Sequence, residues 1–532
     1  MKKQLFSFLV LLILSLQAYA QAYHPVLGGE LSNSAATSIA DIDEVMPRMK
    51  SLGLNTVLVP AYWDLIEAEE EVFDFSTVDR VIDRARENDL KVIFLWFGAW
   101  KNSMSCYAPL WFKRDTKRFP RAMTRTGKPL EIASCFSNNV LQADLRAFTK
   151  FMERIAQKNK EEKVVTMVQI ENEIGMLEDA RDHAPLAEKA YKQQVPAKLL
   201  KALKLNKKGT WAEVFGTDVY ADEKFMAYHY ACYVEHLAKQ ARQIYNVPLY
   251  VNAAMNSRGR KPGEYPSAGP LAHLIDFWRC GAPSIDFIAP DIYDTGFKDW
   301  AAKYALPNNP LFIPEIRCTS DAGVRALYTI GEYRALGFSP FAIDQAPEHV
   351  TGNITQSYCL INQLIPLLNK YPQSWGLLFS QADKERVIDD DGVCITARHF
   401  FTLPWDSRAT DGTTWPEGGG MVIRLAKHEY IVAGNGVVVE FHTQTERQQL
   451  EVKVLGEDGF ADVGKQADGH ISKLKTFTGR RLGLGYVDQV RVDKDETLRY
   501  IRRDNGDQSH QGRHARISVG EYKILHIKLY EY

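Results

Sequence analysis

The chain has 532 residues, 45% hydrophobic and 25% charged, and its 65 Lys and Arg against 66 Asp and Glu give a formal net charge of −1. That length calls for more than one domain, or for one large α/β barrel with an appendage, and the ordinary composition excludes a disordered, collagenous or disulfide-stapled chain. The balanced charge offers no broad field for nucleic acid or an anionic membrane, so function has to reside in a local site.

Residues 1–20 read as a secretory signal: Lys2 and Lys3, the apolar run Leu5 to Leu16, then Ala18-Tyr19-Ala20 as the cleavage site. The run is short for a bilayer span, and no later stretch is long and apolar enough to cross one. The expectation is an exported protein, periplasmic or extracellular, without membrane insertion after cleavage. The seven cysteines (106, 135, 232, 280, 318, 359 and 394) show no CxxC or Cys/His spacing, so no metal site is expected. Their odd number forbids complete pairing; Cys106 and Cys135 are candidates for a bridge that the sequence does not establish.

From residue 24 to 370, short apolar runs alternate with amphipathic helical patterns. Val26 to Gly29 is followed by a helix over Asp41 to Leu52, and Thr56 to Pro60 by one over Ser76 to Asn88, whose Val78, Val81 and Ile82 share a face. Lys91 to Phe97 is apolar throughout, as a parallel strand covered on both sides should be. Val164 to Glu171 is a fourth strand, and residues 221–245 form a long helix. Pro248 to Asn252, Ile285 to Ala289, Leu311 to Glu315 and Ser339 to Ile343 complete eight, with helices over Ala322 to Leu336 and Gln356 to Leu368 after the last two. Eight such units predict a (β/α)8 TIM barrel over 21–375; the rival open sheet lacks a GxGxxG or P-loop. Insertions at 101–140 and 174–220 are placed to wall a pocket at the barrel mouth. After residue 375 helical stripes disappear. Gly420 to Leu425, Tyr430 to Ala433, Val437 to Phe441, Leu450 to Val454 and Tyr522 to Leu529 predict a smaller antiparallel β-sandwich over 376–532.

Chemistry concentrates at two strand ends. Val168-Gln169-Ile170 runs into Glu171-Asn172-Glu173, and Leu311-Phe312-Ile313-Pro314 delivers Glu315. In a barrel, strands four and seven face one another across the mouth, which is what two-carboxylate glycoside hydrolysis requires. Glu173 is read as acid/base, with its proton affinity held up by repulsion and burial, and Glu315 as the nucleophile, kept charged by a nearby cation or hydroxyl. Asn172 is read as the partner of the sugar 2-hydroxyl. Glu171 competes for the acid role but is assigned to structure, and Arg317 either stabilises Glu315 or serves packing. Asn252, at the end of strand five, is a substrate contact or an ordinary polar strand end. Trp63 and Trp111 are sugar platforms or core, and Asp344 ends strand eight. His510, His514, Arg513 and Arg516 look like a solvated loop, and Arg480 and Arg481 are a charged pair with no partner visible in the sequence.

The motif Ile170 to Gly175 (IENEIG), the block Gly53 to Ser76 and Pro310 to Arg317 (PLFIPEIR) resemble glycoside hydrolase family 35, retaining β-galactosidases of the large barrel clan, in its compact bacterial branch. The resemblance implies the same roles for Glu173, Glu315 and Asn172, and makes Tyr293 the group that orients the nucleophile. Trp100, Lys101 and Asn102 follow strand three, where many members carry a Cys-Ala-Glu-Trp run that holds galactose, and Pro60 stands at a place many members give to tyrosine. The expected function is an exo-acting retaining β-galactosidase releasing terminal galactose from plant-type oligosaccharides, with oligosaccharide as partner and no cofactor. Alternatives are another β-glycosidase or endo-glycanase of the clan, or a non-catalytic glycan-binding barrel.

Overall fold

The computed structural model describes residues 22–256, 258–449 and 479–532. The signal-like segment at 1–20 and the expected strand Leu450 to Val454 lie outside them. By backbone contacts the chain divides into two units. One comprises Val26–Ala322 and Tyr333–Thr355; the other contains Gly323–Glu332 and Gln356–Tyr532.

The first unit holds a closed parallel barrel. Its strands are β1 (Val26–Glu30), β2 (Thr56–Tyr62), β3 (Lys91–Phe97), β4 (Val165–Gln169), β5 (Leu249–Ala254), β6 (Phe287–Ile292), β7 (Phe312–Arg317) and β8 (Gly337–Phe341), hydrogen-bonded in the order β1-β8-β7-β6-β5-β4-β3-β2. The expected TIM barrel is therefore present. β1 and β2 are buried throughout and β3 nearly so, which accounts for their unbroken apolar sequences. The strands alternate with α1 (Ile39–Ser51), α2 (Ser76–Glu87), α3 (Asn138–Lys158), α4 (Val219–Ile244), α5 (Ile275–Gly281) and α6 (Phe297–Tyr304); next along the chain come α7 (Ala322–Tyr333) and α8 (Glu348–Lys370), whose residues 323–332 and 356–370 fall in the second unit. Ser38, Ser137 and Asp218 cap α1, α3 and α4 by accepting backbone N–H bonds in the first turn. β8 ends earlier than the sequence suggests because Ala342 turns left-handed (φ 53°) and starts a short 3₁₀ turn. Gly28 is required by close approach: a Cβ there would lie 2.2 Å from Ser339 Oγ.

The insertions after β3 and β4 are folded, with an antiparallel pair (Arg121–Met123 and Pro129–Ala133) and short helices. They are joined to each other. Arg125 Nη2 lies 2.8 Å from Asp179, and Asp182 accepts from Met123 N at 2.9 Å and from Ser134 Oγ at 2.6 Å.

The second unit is an antiparallel sandwich, as expected. Its six-stranded sheet contains β9 (Ser374–Phe379), β12 (Gly418–Ala426), β13 (Glu429–Asn435), β15 (Leu482–Val492), β16 (Leu498–Arg503) and β18 (Lys523–Glu531), in the order β9-β12-β13-β18-β15-β16. The four-stranded sheet runs β10 (Glu385–Asp390), β11 (Val393–His399), β14 (Val437–Thr443), β17 (Ala515–Ile517). Leu377, Val422, Val432 and Ile527 of one sheet meet Ile388, Ile395, Val439 and Ile517 of the other in one core. β16, at a sheet edge, is exposed and carries Arg499, Arg502 and Arg503, charges that discourage edge pairing. One surface reading needs correction. His514 is buried against Trp405, its ring stacked at 6.0 Å, because the loop folds over an aromatic side chain. Arg480 and Arg481 pair with Glu531 (2.9 Å) and Glu446 (2.7 Å). All seven cysteines are free, so Cys106 and Cys135 are not bridged. Among the described residues no helix is long and apolar enough to cross a membrane.

Candidate active site

Four strand ends send carboxyl groups to the same mouth of the barrel. β1 ends in Glu30, β6 carries Asp291, β7 carries Glu315, and the loop leaving β4 carries Glu173; all four are buried. Asp291 and Glu315 are register partners across β6 and β7. One oxygen each from Glu173, Asp291 and Glu315 lie within 4.8 Å of one another. Glu173 stands on unusual backbone: its φ of 47°, like the 57° of Glu171, is left-handed, a conformation a non-glycine residue keeps only when its surroundings impose it.

The surroundings are a ladder between two loops. After β3, residues 100–103 run beside 171–173: Asn172 N donates to Trp100 O (3.2 Å), Asn102 N to Asn172 O (3.2 Å) and Ser103 N to Glu173 O (3.1 Å). Side chains continue it. Trp100 N donates to the Glu171 carboxyl (2.8 Å), and Asn102 Nδ2 donates to Glu173. Lys101 Nζ donates to Asn172 Oδ1 (2.9 Å), which fixes the amide so that Asn172 Nδ2, buried and without a partner, is left as a free donor. From the other side Asn252 Oδ1 accepts from Glu173 N (2.9 Å), while its Nδ2 donates to Asp291 Oδ2 (2.6 Å). Tyr293 donates its hydroxyl to Glu315 Oε1.

Crowding sets the electrostatics. Burial, then repulsion from Glu173, pushes the Glu315 carboxyl up to about 7, against the opposing pull of Lys101 and the Tyr293 hydroxyl. Glu30 is raised by burial first and then by Glu315, with Lys101 again opposing. Asp291 is raised by burial, then by Glu315, Glu173 and Glu30. The expectation that a cation or hydroxyl keeps Glu315 well charged is thus reversed in direction: both are present, and desolvation outweighs them. Glu171 belongs to a separate pair. It is held high by burial and by Asp144, which accepts from Trp96 Nε1 (2.9 Å) and the Tyr233 hydroxyl (2.8 Å). With Asp144 so well supplied with donors, the proton of that pair resides on Glu171, a structural role.

Of the residues expected at the site, Glu173, Glu315, Asn172, Lys101, Asn102, Asn252 and Tyr293 come together. Trp100 contributes its backbone, while its ring is packed edge-on against Tyr230 and Tyr233. Arg317 is exposed and lies over the Tyr293 ring at 5.6 Å. Trp63 and Trp111 pack on each other, and both indoles donate to Glu67, so core packing describes them. Asp344 is occupied by Ser32, whose N–H and hydroxyl each donate at 2.7 Å. Glu30 and Asp291 escaped the sequence reading. The signal was available: each, like Glu315, is an acid at the C-terminal end of an apolar strand. A cavity of about 610 Å³ lies elsewhere, lined by Tyr220, Arg260, Tyr265, His273 and Trp300 among others, and none of the four acids lines it.

Comparison with known proteins adds the following. The family described as β-galactosidase (Glyco_hydro_42) matches residues 35–222, and a domain of unknown function (DUF5597) matches 354–516. The matched β-galactosidase family is thus family 42, and the family 35 assignment finds no support among these matches. No curated protein matches the chain. Among solved structures, the β-galactosidase of the psychrophilic Marinomonas ef1 is 13% identical with a TM-score of 0.48, over 64% of this chain and 60% of that one. The β-galactosidase of the haloarchaeon Halorubrum lacusprofundi is 14% identical (TM-score 0.47), over 63% and 58%. The catalytic domain of a Paenibacillus polymyxa β-amylase is 11% identical (TM-score 0.48), over 64% and 98%. This chain spans less than two thirds of the length of either β-galactosidase, and at TM-scores under 0.5 none of these likenesses bears on function. The family match describes residues 35–222 as β-galactosidase-like, a glycoside hydrolase class.

Proposed function

We propose that the protein is a retaining exo-β-galactosidase acting on terminal β-linked galactose of oligosaccharides, with Glu173 as acid/base and Glu315 as nucleophile. The observation that carries the reading is the approach of Glu173 and Glu315 to within 4.8 Å at their nearest oxygens. Retaining enzymes space their carboxyl groups about 5–5.5 Å apart, whereas inverting ones leave about 6.5–9.5 Å for a water.

In the first step Glu315 attacks the anomeric carbon while Glu173 gives its proton to the departing oxygen. In the second Glu173 takes a proton from water, and that water displaces Glu315 with the anomeric configuration restored. Asn172 Nδ2, oriented by Lys101, donates to the 2-hydroxyl, where the bond strengthens as positive charge develops on the ring. Tyr293 holds Glu315 aligned for attack. The two insertions bound to each other beside the mouth support a closed pocket and hence action at chain ends.

The test is hydrolysis of a panel of nitrophenyl glycosides, with proton NMR of the sugar first released. The expected product is β-galactose mutarotating later to α. Initial release of the α anomer overturns retention, and preference for another glycoside overturns the galactose assignment.

A further inference from the structure

Asp291 is not needed for a two-carboxylate mechanism, yet it occupies the centre of the site. It is fully buried, lies within 4.8 Å of Glu173 and Glu315, and is the register neighbour of Glu315. Asn252 links it to the acid/base, since one amide accepts from the Glu173 backbone and donates to Asp291 Oδ2. Asp291 Oδ1 is buried with no donor facing it. The charged and titratable groups around it are Glu173 from the β4 loop, Tyr250 from β5, Tyr293 beyond β6, Glu315 from β7, Glu30 from β1 and Tyr304 from α6. None is a base. Asp291 and Glu173 each bring an oxygen within 4.8 Å of the other, and two carboxyl groups so close resist ionising together, which favours one proton kept between them.

Resting on the glycosidase reading and deepening it, we infer that Asp291 is a positioning residue that shares a single proton with Glu173, orienting the acid/base and storing the proton it delivers. Before reaction the pair carries one proton and Glu315 is ionised. As the C–O bond to the leaving group breaks and the Glu315 ester forms, that proton moves to the leaving oxygen and both members of the pair become ionised. The total charge is unchanged, because the esterified Glu315 has lost its own. Water returns the proton in the second step.

Asp291→Asn keeps an acceptor for Asn252 and a donor for Glu173 but cannot carry the shared proton. Its permanent donor favours ionised Glu173, so the alkaline limb of kcat/KM moves to lower pH by about one unit. A dinitrophenyl glycoside, whose leaving group needs no acid, does not show that shift in the first step. A second readout needs no substrate. A carboxyl protonated only in the folded state gives stability that is lost as pH rises from about 4 upward, so Asp291→Asn has a flatter fall of Tm with pH than the wild type. If Asp291→Asn does not fold, Asp291→Ser removes the carboxyl with less bulk and is read the same way. A pH profile that superimposes on that of the wild type, or an unchanged Tm slope, overturns the proposal. A wild type that cleaves no glycoside defeats the glycosidase reading instead, and the Tm slope then still decides whether Asp291 holds a proton.

Discussion

Two buried acids in the barrel unit, Glu315 at the mouth and Asp179 in the insertion after β4, are 4% and 5% exposed, yet they bind protons in opposite ways. Burial resists ionisation at both. At Asp179 it is outweighed by His183, by the Arg125 guanidinium at 2.8 Å and by the backbone N–H groups of Arg125 and Ala180, which hold the carboxyl far below its usual range. Glu315 has one hydroxyl and one lysine against burial and a neighbouring carboxylate, and is pushed up to about 7. Depth does not determine the charge of a buried acid; the supply of donors does. The insertion uses its acids to bind loops together, whereas the mouth leaves its acids short of donors and so keeps them reactive.

Glu315→Gln breaks the contrast most sharply. Loss of the nucleophile is expected to cost about 10⁴-fold or more in kcat on galactosides, an estimate from nucleophile deletions elsewhere, with no loss of Tm because a crowded buried acid has been neutralised. Glu173→Gln costs about 10²–10⁴-fold on poor leaving groups and much less on dinitrophenyl glycosides in the first step, which burst kinetics resolve. Lys101→Met removes the base that lowers both Glu30 and Glu315 and frees the Asn172 amide. A loss of about 10–100-fold is expected, with the acid limb of kcat/KM moving to higher pH as ionised Glu315 becomes less favoured. Asp179→Ala acts on the other side of the comparison: kcat is retained, while urea unfolding at pH 7 shows a loss of about 1–3 kcal/mol. Because the Asp179 carboxyl is depressed, its contribution exists above the unfolded value near pH 4 and disappears as pH falls, so wild type and variant converge in acid. The smallest effect is thermal. The raised Glu315 carboxyl contributes stability that is lost as pH climbs through about 7, by at most about 1.4 kcal/mol per pH unit, and Glu315→Gln flattens that decline in calorimetry.

Periodicity was enough to read the barrel, because strands buried on both faces write themselves as unbroken apolar runs. β3 is the clearest case. In the sandwich, β10 and β16 are half or wholly exposed and polar, so their alternation is masked by Glu, Asp and Arg and neither was anticipated. At the site, Glu173 and Glu315 were legible from their position at strand ends. Glu30 and Asp291 satisfy the same rule less visibly: Glu30 follows a glycine pair that interrupts the apolar run, and Asp291 stands two residues before the more conspicuous Tyr293. The pairing of residues 100–103 with 171–173 had no sequence signal. It depends on backbone groups of two loops that only the closed sheet brings side by side. The charge state of the mouth was also out of reach, since it follows from how many donors the fold supplies.

The left-handed backbone at Glu173 carries a consequence for how this protein can be improved. A glycine would sit there with less strain, so a screen for thermostability alone is drawn toward replacing the very side chain on which turnover would depend. Hardier variants should therefore be sought away from this corner, with catalysis monitored at every round.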